Sequence, residues 1–225
     1  MQSKIDEILD WKYPYINSTK IEGKLSVTDI SKGKRKQIDK TTDKPKFLSD
    51  NDKLTKAEVG TLMHLMMQKL DFKKEYNENT INELIQELIN KNIINQNESS
   101  YIDRQKILNF TNSDLYLELK EAKEIHKEEP FYIYLTSDEV YKDGSNEKIL
   151  VQGIIDLYYI NKYGQLILLD YKTDYVENRN EQELIQKYKK QLRLYKMALE
   201  NALHMNVESV YIYSIYLNKK IECNL

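Results

Sequence analysis

Three charged residues stand inside two apolar runs, with a fourth, Asp174, at the end of the second. Gly153-Ile154-Ile155-Asp156-Leu157 carries one carboxylate, and Leu168-Leu169-Asp170-Tyr171-Lys172-Thr173-Asp174 carries another, with a lysine two residues later. Burying an acid inside an apolar strand is costly unless a cation meets it. A divalent metal ion supplies that charge, and the lysine can then act on a water or a phosphate. The chemistry such a set can do is metal-dependent cleavage of a phosphodiester.

The segment between the runs must bring them together. It reads Asn161-Lys162-Tyr163-Gly164-Gln165. A three-residue hairpin loop commonly ends on a glycine in the left-handed conformation. With Lys162 to Gly164 as that loop, Asn161 meets Gln165 and Asp156 falls opposite Asp170. Side chains alternate along a strand, so Lys172 shares the Asp170 face. A loop one residue longer would send the two acids to opposite faces. Ile154, Tyr158, Leu166 and Leu168 are predicted on one face and Ile155, Leu157, Ile167 and Leu169 on the other, a sheet centre covered on both sides. The alternative is a half-exposed hairpin with the acids at its rim.

Other residues invite a role. Thr55-Lys56-Ala57-Glu58 has the form of a capping box opening a helix to about Leu70, with Gly60, His64 and Gln68 four apart on one face. A lone helical histidine is more often structural than a ligand, but Gly60 one turn earlier permits close approach. His126 and His204 have weaker contexts. Glu128 and Glu129 precede a strand; either can approach a metal, or both can be a solvated strand end. A long helix from about Glu181 to Leu203 carries Leu184, Tyr188, Leu192, Tyr195, Leu199 and Ala202 on its inner stripe. Gln191 lies between the two tyrosines and needs a partner, in the core or at the site. Lys187, Lys189, Lys190, Arg193 and Lys196 surround the same helix, able to hold phosphates or merely to solvate it.

The chain of 225 residues suits one large domain, or one with appendages, and its formal charge of -2 gives no global nucleic-acid signature. Its single cysteine, Cys223, excludes a disulfide framework, a multi-cysteine zinc site and a four-cysteine iron–sulfur cluster. No G-x-x-x-x-G-K-[ST] loop or nucleophile elbow is present. No signal peptide or membrane-spanning run is seen, so a cytoplasmic setting is expected. Ser26-Val27-Thr28-Asp29 reads as a capping box before a basic stretch, Lys32, Lys34, Arg35, Lys36, Lys40, Lys44 and Lys46, either a mobile DNA contact or a solvated linker. Thr80-Ile81-Asn82-Glu83 reads as another box, ahead of a stripe of Ile81, Leu84, Ile85, Leu88 and Ile89. Further helices are expected near Ser100 and Thr111. Strands are expected at Phe131 to Leu135, Ile149 to Ile160, Gln165 to Lys172 and Val210 to Leu217. The fold class is α/β or mixed α+β, a sheet between helices with an N-terminal helical portion.

Taken together, the two acidic runs, Tyr188, Gln191-Leu192 and Tyr195 resemble the RecB-type nucleases of the PD-(D/E)XK superfamily. Trp11-Lys12-Tyr13-Pro14-Tyr15, Lys24-Leu25-Ser26-Val27-Thr28, Leu54 through His64, and Glu128-Glu129-Pro130-Phe131 narrow the likeness. They are similar to the C-terminal nuclease domains of helicase–nuclease A subunits (the AddA type). The resemblance covers nearly the whole chain. It implies a restriction-endonuclease-like core in residues 51–225, with 1–50 as an arm and basic loop. It implies His64, Asp156, Asp170 and the main-chain carbonyl of Tyr171 as ligands of Mg²⁺, or Mn²⁺ in its place. Lys172 would orient or activate the attacking water, with Gln191 and Tyr195 in support. The superfamily's proline is replaced by Ile155, without chemical consequence. The implied setting is bacterial double-strand-break resection. The chain would be an excised part of a longer helicase polypeptide that pairs with a B subunit. It would cut the 3′-terminated single strand. Two rivals are a scaffold domain that has lost the chemistry and a stand-alone CRISPR-associated exonuclease. The intact acid–lysine set speaks against the first, and the lone cysteine against the second, whose members hold an iron–sulfur cluster.

Overall fold

A computed structural model describes residues 21–33, 53–142 and 146–225. The Trp11–Tyr15 motif and nearly all of the basic stretch lie outside the described residues. The elements in order are β1 (Lys24–Ser26), α1 (Val27–Lys32), α2 (Lys56–Lys69), α3 (Glu78–Asn90), α4 (Gln96–Ser100), α5 (Arg104–Thr111), α6 (Asp114–Lys120), β2 (Glu124–Thr136), α7 (Ser137–Tyr141), β3 (Lys148–Ile160), β4 (Leu166–Lys172), α8 (Glu181–Leu203), β5 (Val207–Ser214) and β6 (Lys219–Glu222). No helix among the described residues is long and apolar enough to cross a membrane.

Local chemistry sets the helix starts. Ser26 and Asp29, and likewise Thr55 and Glu58, form the reciprocal capping pairs expected of them. The box expected at Thr80 is corrected. Asn77 is the cap, its side chain accepting from Thr80 N at 3.0 Å while the Thr80 hydroxyl accepts from Asn77 N at 2.8 Å. The helix therefore starts about one turn earlier. The long helix keeps its predicted bounds, but its buried stripe is Leu184, Ile185, Leu192, Tyr195, Ala198 and Leu199. Ala202 is exposed and Tyr188 only half-buried.

Six strands make one mixed sheet. Strand β2 runs antiparallel along the whole of β3. The opposite edge of β3 is shared. Parallel β1 pairs with Leu150 to Gln152, and antiparallel β4 pairs with Leu157 to Ile160. Strand β5 pairs parallel to β4, and β6 closes the sheet. Every residue of β4 is buried, as befits a strand covered on both faces. One layer, α2 to α6, packs on Leu157, Tyr159, Ile167, Leu169, Tyr171 and Tyr213. The other, α1 and α8, packs on Ile155, Tyr158, Leu166, Leu168, Val210 and Ile212.

The hairpin has its three-residue loop. Asn161 N donates to Gln165 O at 3.0 Å, Gly164 N donates to Asn161 O at 2.9 Å, and Gly164 has φ +84°. The expected face assignment is corrected at one point. Ile155 packs with Tyr158 and Leu168, not with Leu157, and Ile154 is exposed. The alternation changes phase at Asp156, opposite Glu128, whose φ of +53° is left-handed. A left-handed residue in a strand twists the ladder locally. Predicted bounds also shift: β2 begins at Glu124 rather than Phe131, and β5 runs Val207–Ser214 rather than from Val210 to Leu217.

Candidate active site

The site forms where β3 and β4 part. The ladder between them stops at Leu157 and Leu169. Just beyond it, the Tyr171 N–H donates to Asp156 Oδ2 at 2.9 Å, so a side chain accepts from backbone freed by the splay. Asp170 projects from the wholly buried β4 and is 1% exposed. Neither of its oxygens accepts an aligned hydrogen bond. The Lys172 ammonium stands 2.5 Å from Oδ2 as an ion pair. Burial pushes the carboxyls of both Asp156 and Asp170 up to about 6, against the opposing pull of Lys172.

The helix α2 supplies the opposite wall. Gly60 packs so close to the end of β4 that an added Cβ would lie 2.9 Å from Thr173 Oγ1. That approach carries His64, one turn on, to 3.4 Å from Asp156 Oδ2 through Nδ1, with its ring edge-on to Tyr171. Burial, then the Lys172 charge, lowers the His64 pKa and keeps the imidazole neutral, the form that binds metal. A cleft of about 420 Å³ opens between these elements, its wall including His64, Asp156, Lys172, Thr173, Asp174 and Tyr188.

Glu128 also lines this cleft, and burial raises its carboxyl pKa. Of the two acids weighed at that strand, it is the one the fold brings in; Glu129 is exposed. Asp174 and Tyr188 are site residues that sequence reasoning missed. Tyr188 Oη donates to Asp174 Oδ2 at 2.7 Å, and Lys187 Nζ donates to Oδ1 at 2.5 Å. The Lys172 ammonium lies 4.3 Å from the centre of the Tyr188 ring, a cation–π contact that holds it toward the acids. Asp174 was visible as the end of the second acidic run, and Tyr188 as a stripe residue and part of the family motif, though neither was given a role at the site. Gln191 finds its partner on its own helix: Nε2 donates to Tyr195 Oη at 2.8 Å. Burial, then the Asp170 charge, holds the Tyr195 phenol well above its usual range. His126 stacks on Tyr158, and His204 ends α8 in the left-handed conformation.

The donor set fits a hard divalent cation in kind: two carboxylates, one of them wholly buried, and a neutral imidazole. Among the described residues, no group of three or more His, Cys, Asp or Glu side chains is arranged so as to hold a metal ion by itself. A cation held here would keep open positions for water or substrate, as Mg²⁺ prefers.

Comparison with known proteins agrees. The chain is 34% identical over 234 residues to the A subunit of the ATP-dependent helicase/nuclease of Clostridium novyi (strain NT), covering 97% of this chain and 19% of that protein. The same-named protein of Alkaliphilus oremlandii (strain OhILAs) is 37% identical, with 94% and 18% covered. That of Clostridium beijerinckii is 36% identical, with 99% and 19% covered. The chain thus spans about a fifth of the length of these curated relatives. Among solved structures, "Crystal structure of SSO0001" aligns at 14% identity and a TM-score of 0.37, covering 98% of this chain and 72% of its own, a likeness too slight to argue from. Residues 36–221 match the PD-(D/E)XK nuclease superfamily. With the sheet, the paired acids and the lysine in place, the chain belongs to the PD-(D/E)XK nuclease superfamily.

Proposed function

We propose that this domain hydrolyses phosphodiester bonds of single-stranded DNA with Mg²⁺, or Mn²⁺ in its place. The observation that carries the reading is Asp170: a fully buried carboxylate ion-paired with Lys172, beside Asp156 at an open cleft. Asp156, Asp170, His64 and the carbonyl of Tyr171 would hold the ion, with Glu128 the next nearest acid. When bound, such an ion polarises the scissile phosphate and lowers the pKa of the attacking water.

The chain's own groups do the rest. Lys172, held between Asp170 and the Tyr188 ring, orients the attacking water and offsets charge developing on the phosphate. Asp174 positions Tyr188 and Lys187, and so indirectly Lys172. Gln191 and Tyr195 support the Asp170 side of the site. In a longer polypeptide like the relatives, partnered by a B subunit, a helicase portion would deliver the 3′-terminated strand in the bacterial cytoplasm during break resection. The nuclease unit is the 51–225 portion together with β1 and α1, which join its sheet and one of its helical layers. The test is cleavage of labelled single-stranded DNA with Mg²⁺ and with chelator. Mg²⁺-dependent cleavage that Asp170→Asn abolishes is expected. Cleavage in chelator, or an active Asp170→Asn, overturns the reading.

A further inference from the structure

A second cavity adjoins the catalytic cleft, with about 700 Å³ of space. Ala57, Gly60, Thr173 and Asp174 line both, so the two are one continuous surface on either side of the α2–β4 contact. The floor of the second is apolar: Met63, Tyr101 and Ile215. Lys56 and Lys106 stand at its wall, opposed by Asp103, which pairs with Lys106 at 3.7 Å. At its rim Tyr175 is 72% exposed, three residues after Lys172. Its ring meets Tyr216 edge to face, centroids 4.9 Å apart, and the Lys106 ammonium lies 5.8 Å from the Tyr216 ring centre.

Resting on the nuclease reading, we propose that this groove is the subsite for the nucleotides adjoining the scissile phosphate, with a nucleobase stacked on Tyr175. The chemistry points to a single strand. An exposed phenol ring backed by a second ring is a poor use of apolar surface in water but a good platform for an unpaired base. Base-on-aromatic stacking tolerates any sequence, because every base has a π-face. Two lysines with two acids nearby make no strong phosphate clamp, so the groove holds its occupant by its bases more than by its backbone. A duplex, whose bases are already stacked, cannot use it. The rim lies directly beyond Thr173 and Asp174, which line the catalytic cleft as well.

The test uses the 225-residue chain and two 15-mers, one of thymidine nucleotides and one of abasic sugar-phosphates, in fluorescence anisotropy with chelator and in Mg²⁺ cleavage assays. The thymidine 15-mer should bind the unaltered chain more tightly than the abasic one. Tyr175→Ala should weaken its binding and raise KM for its cleavage, each about tenfold. The same variant should bind the abasic 15-mer as the unaltered chain does, and Tyr175→Trp should restore thymidine binding. Tyr216→Ala should reproduce part of the loss, by removing the ring behind Tyr175. Equal loss on both oligonucleotides would overturn stacking in favour of a charge or folding effect. No loss on either overturns the proposal while leaving the nuclease reading intact. Failure of the unaltered chain to cleave in Mg²⁺ strikes the nuclease reading instead.

Discussion

Replacing Asp156 by Asn should stabilise the metal-free domain, although it removes a residue of the site. The side chain is 15% exposed. Its carboxyl is raised from 3.8 to about 6, chiefly by burial. At about 1.36 kcal/mol per unit, ionising it inside the fold costs about 3 kcal/mol at neutral pH. Removing the Asp156 charge also relieves Asp170, whose own carboxyl Asp156 helps to raise. A single replacement therefore recovers about 1–3 kcal/mol, a rise in Tm of about 2–12 °C for a chain of this length. The amide oxygen of the substituted side chain can still accept from Tyr171 N–H, so no backbone donor is orphaned. The sign in pH follows from a folded pKa above the unfolded one: the penalty is complete above about 6 and absent below about 4, and about half remains at pH 5. Thermal and urea unfolding in chelator at pH 7.5 and pH 5 measures it. Saturating Mg²⁺ should reverse the order, because ligand at a hundredfold its Kd adds about 2.7 kcal/mol to the form that binds it. A variant less stable than the parent at pH 7.5 in chelator, or a gain as large at pH 5, would falsify the picture of an uncompensated buried charge.

Lys172→Met should lower Mg²⁺-dependent cleavage at least about a hundredfold, as loss of a transition-state donor does elsewhere. It should also destabilise the domain above pH 6, because Asp170 then loses its ion-pair partner; chelator-phase melts and steady-state rates read the two effects apart. Mg²⁺ affinity, followed by calorimetry, should fall as pH drops through about 6, where protons compete for Asp156 and Asp170. Gly60→Ala, which in an open helix would gain up to about 1 kcal/mol, should destabilise here through the 2.9 Å contact with Thr173 Oγ1. Adding Thr173→Ala should restore stability, with a coupling of about 1 kcal/mol or more in the double-mutant cycle; simple additivity would show that the contact relaxes freely. Gly153→Ala should cost about 1–3 kcal/mol, because its Cβ would lie 2.6 Å from the Phe131 ring that packs edge-on to Tyr195. An unchanged denaturation midpoint would mean that Phe131 swings away without loss.

Much of the frame was legible because it rests on short-range rules. The hairpin register followed from Gly164 and a side-chain period of two, and the bounds of α8 from an apolar stripe with polar ends. Asp170 and Lys172 fell on one face by the same alternation. Where two local signals competed, the sequence was ambiguous. Thr80 has the look of a helix cap, yet Asn77, three residues earlier, caps better and leaves Thr80 as its reciprocal partner. The short α7 and β6 carried too few residues to show a period.

Local rules could not supply what depends on packing between distant segments. The change of phase at Asp156 arises because Glu128, some thirty residues earlier, takes a left-handed conformation opposite it; no glycine marks the place. That twist exposes Ile154, and Asp156 comes to accept the Tyr171 N–H where β3 and β4 part. The nearness of His64 to Asp156 depends on Gly60 seating α2 against Thr173, a contact 113 residues apart in the chain. The raised carboxyls are likewise a property of burial, which no residue possesses alone. The sequence determined which groups are present and which neighbours share a face, because those follow from covalent geometry and side-chain period. Only the tertiary structure decided which of them meet, and how far from water, because desolvation and contact are set by segments the chain brings in from afar.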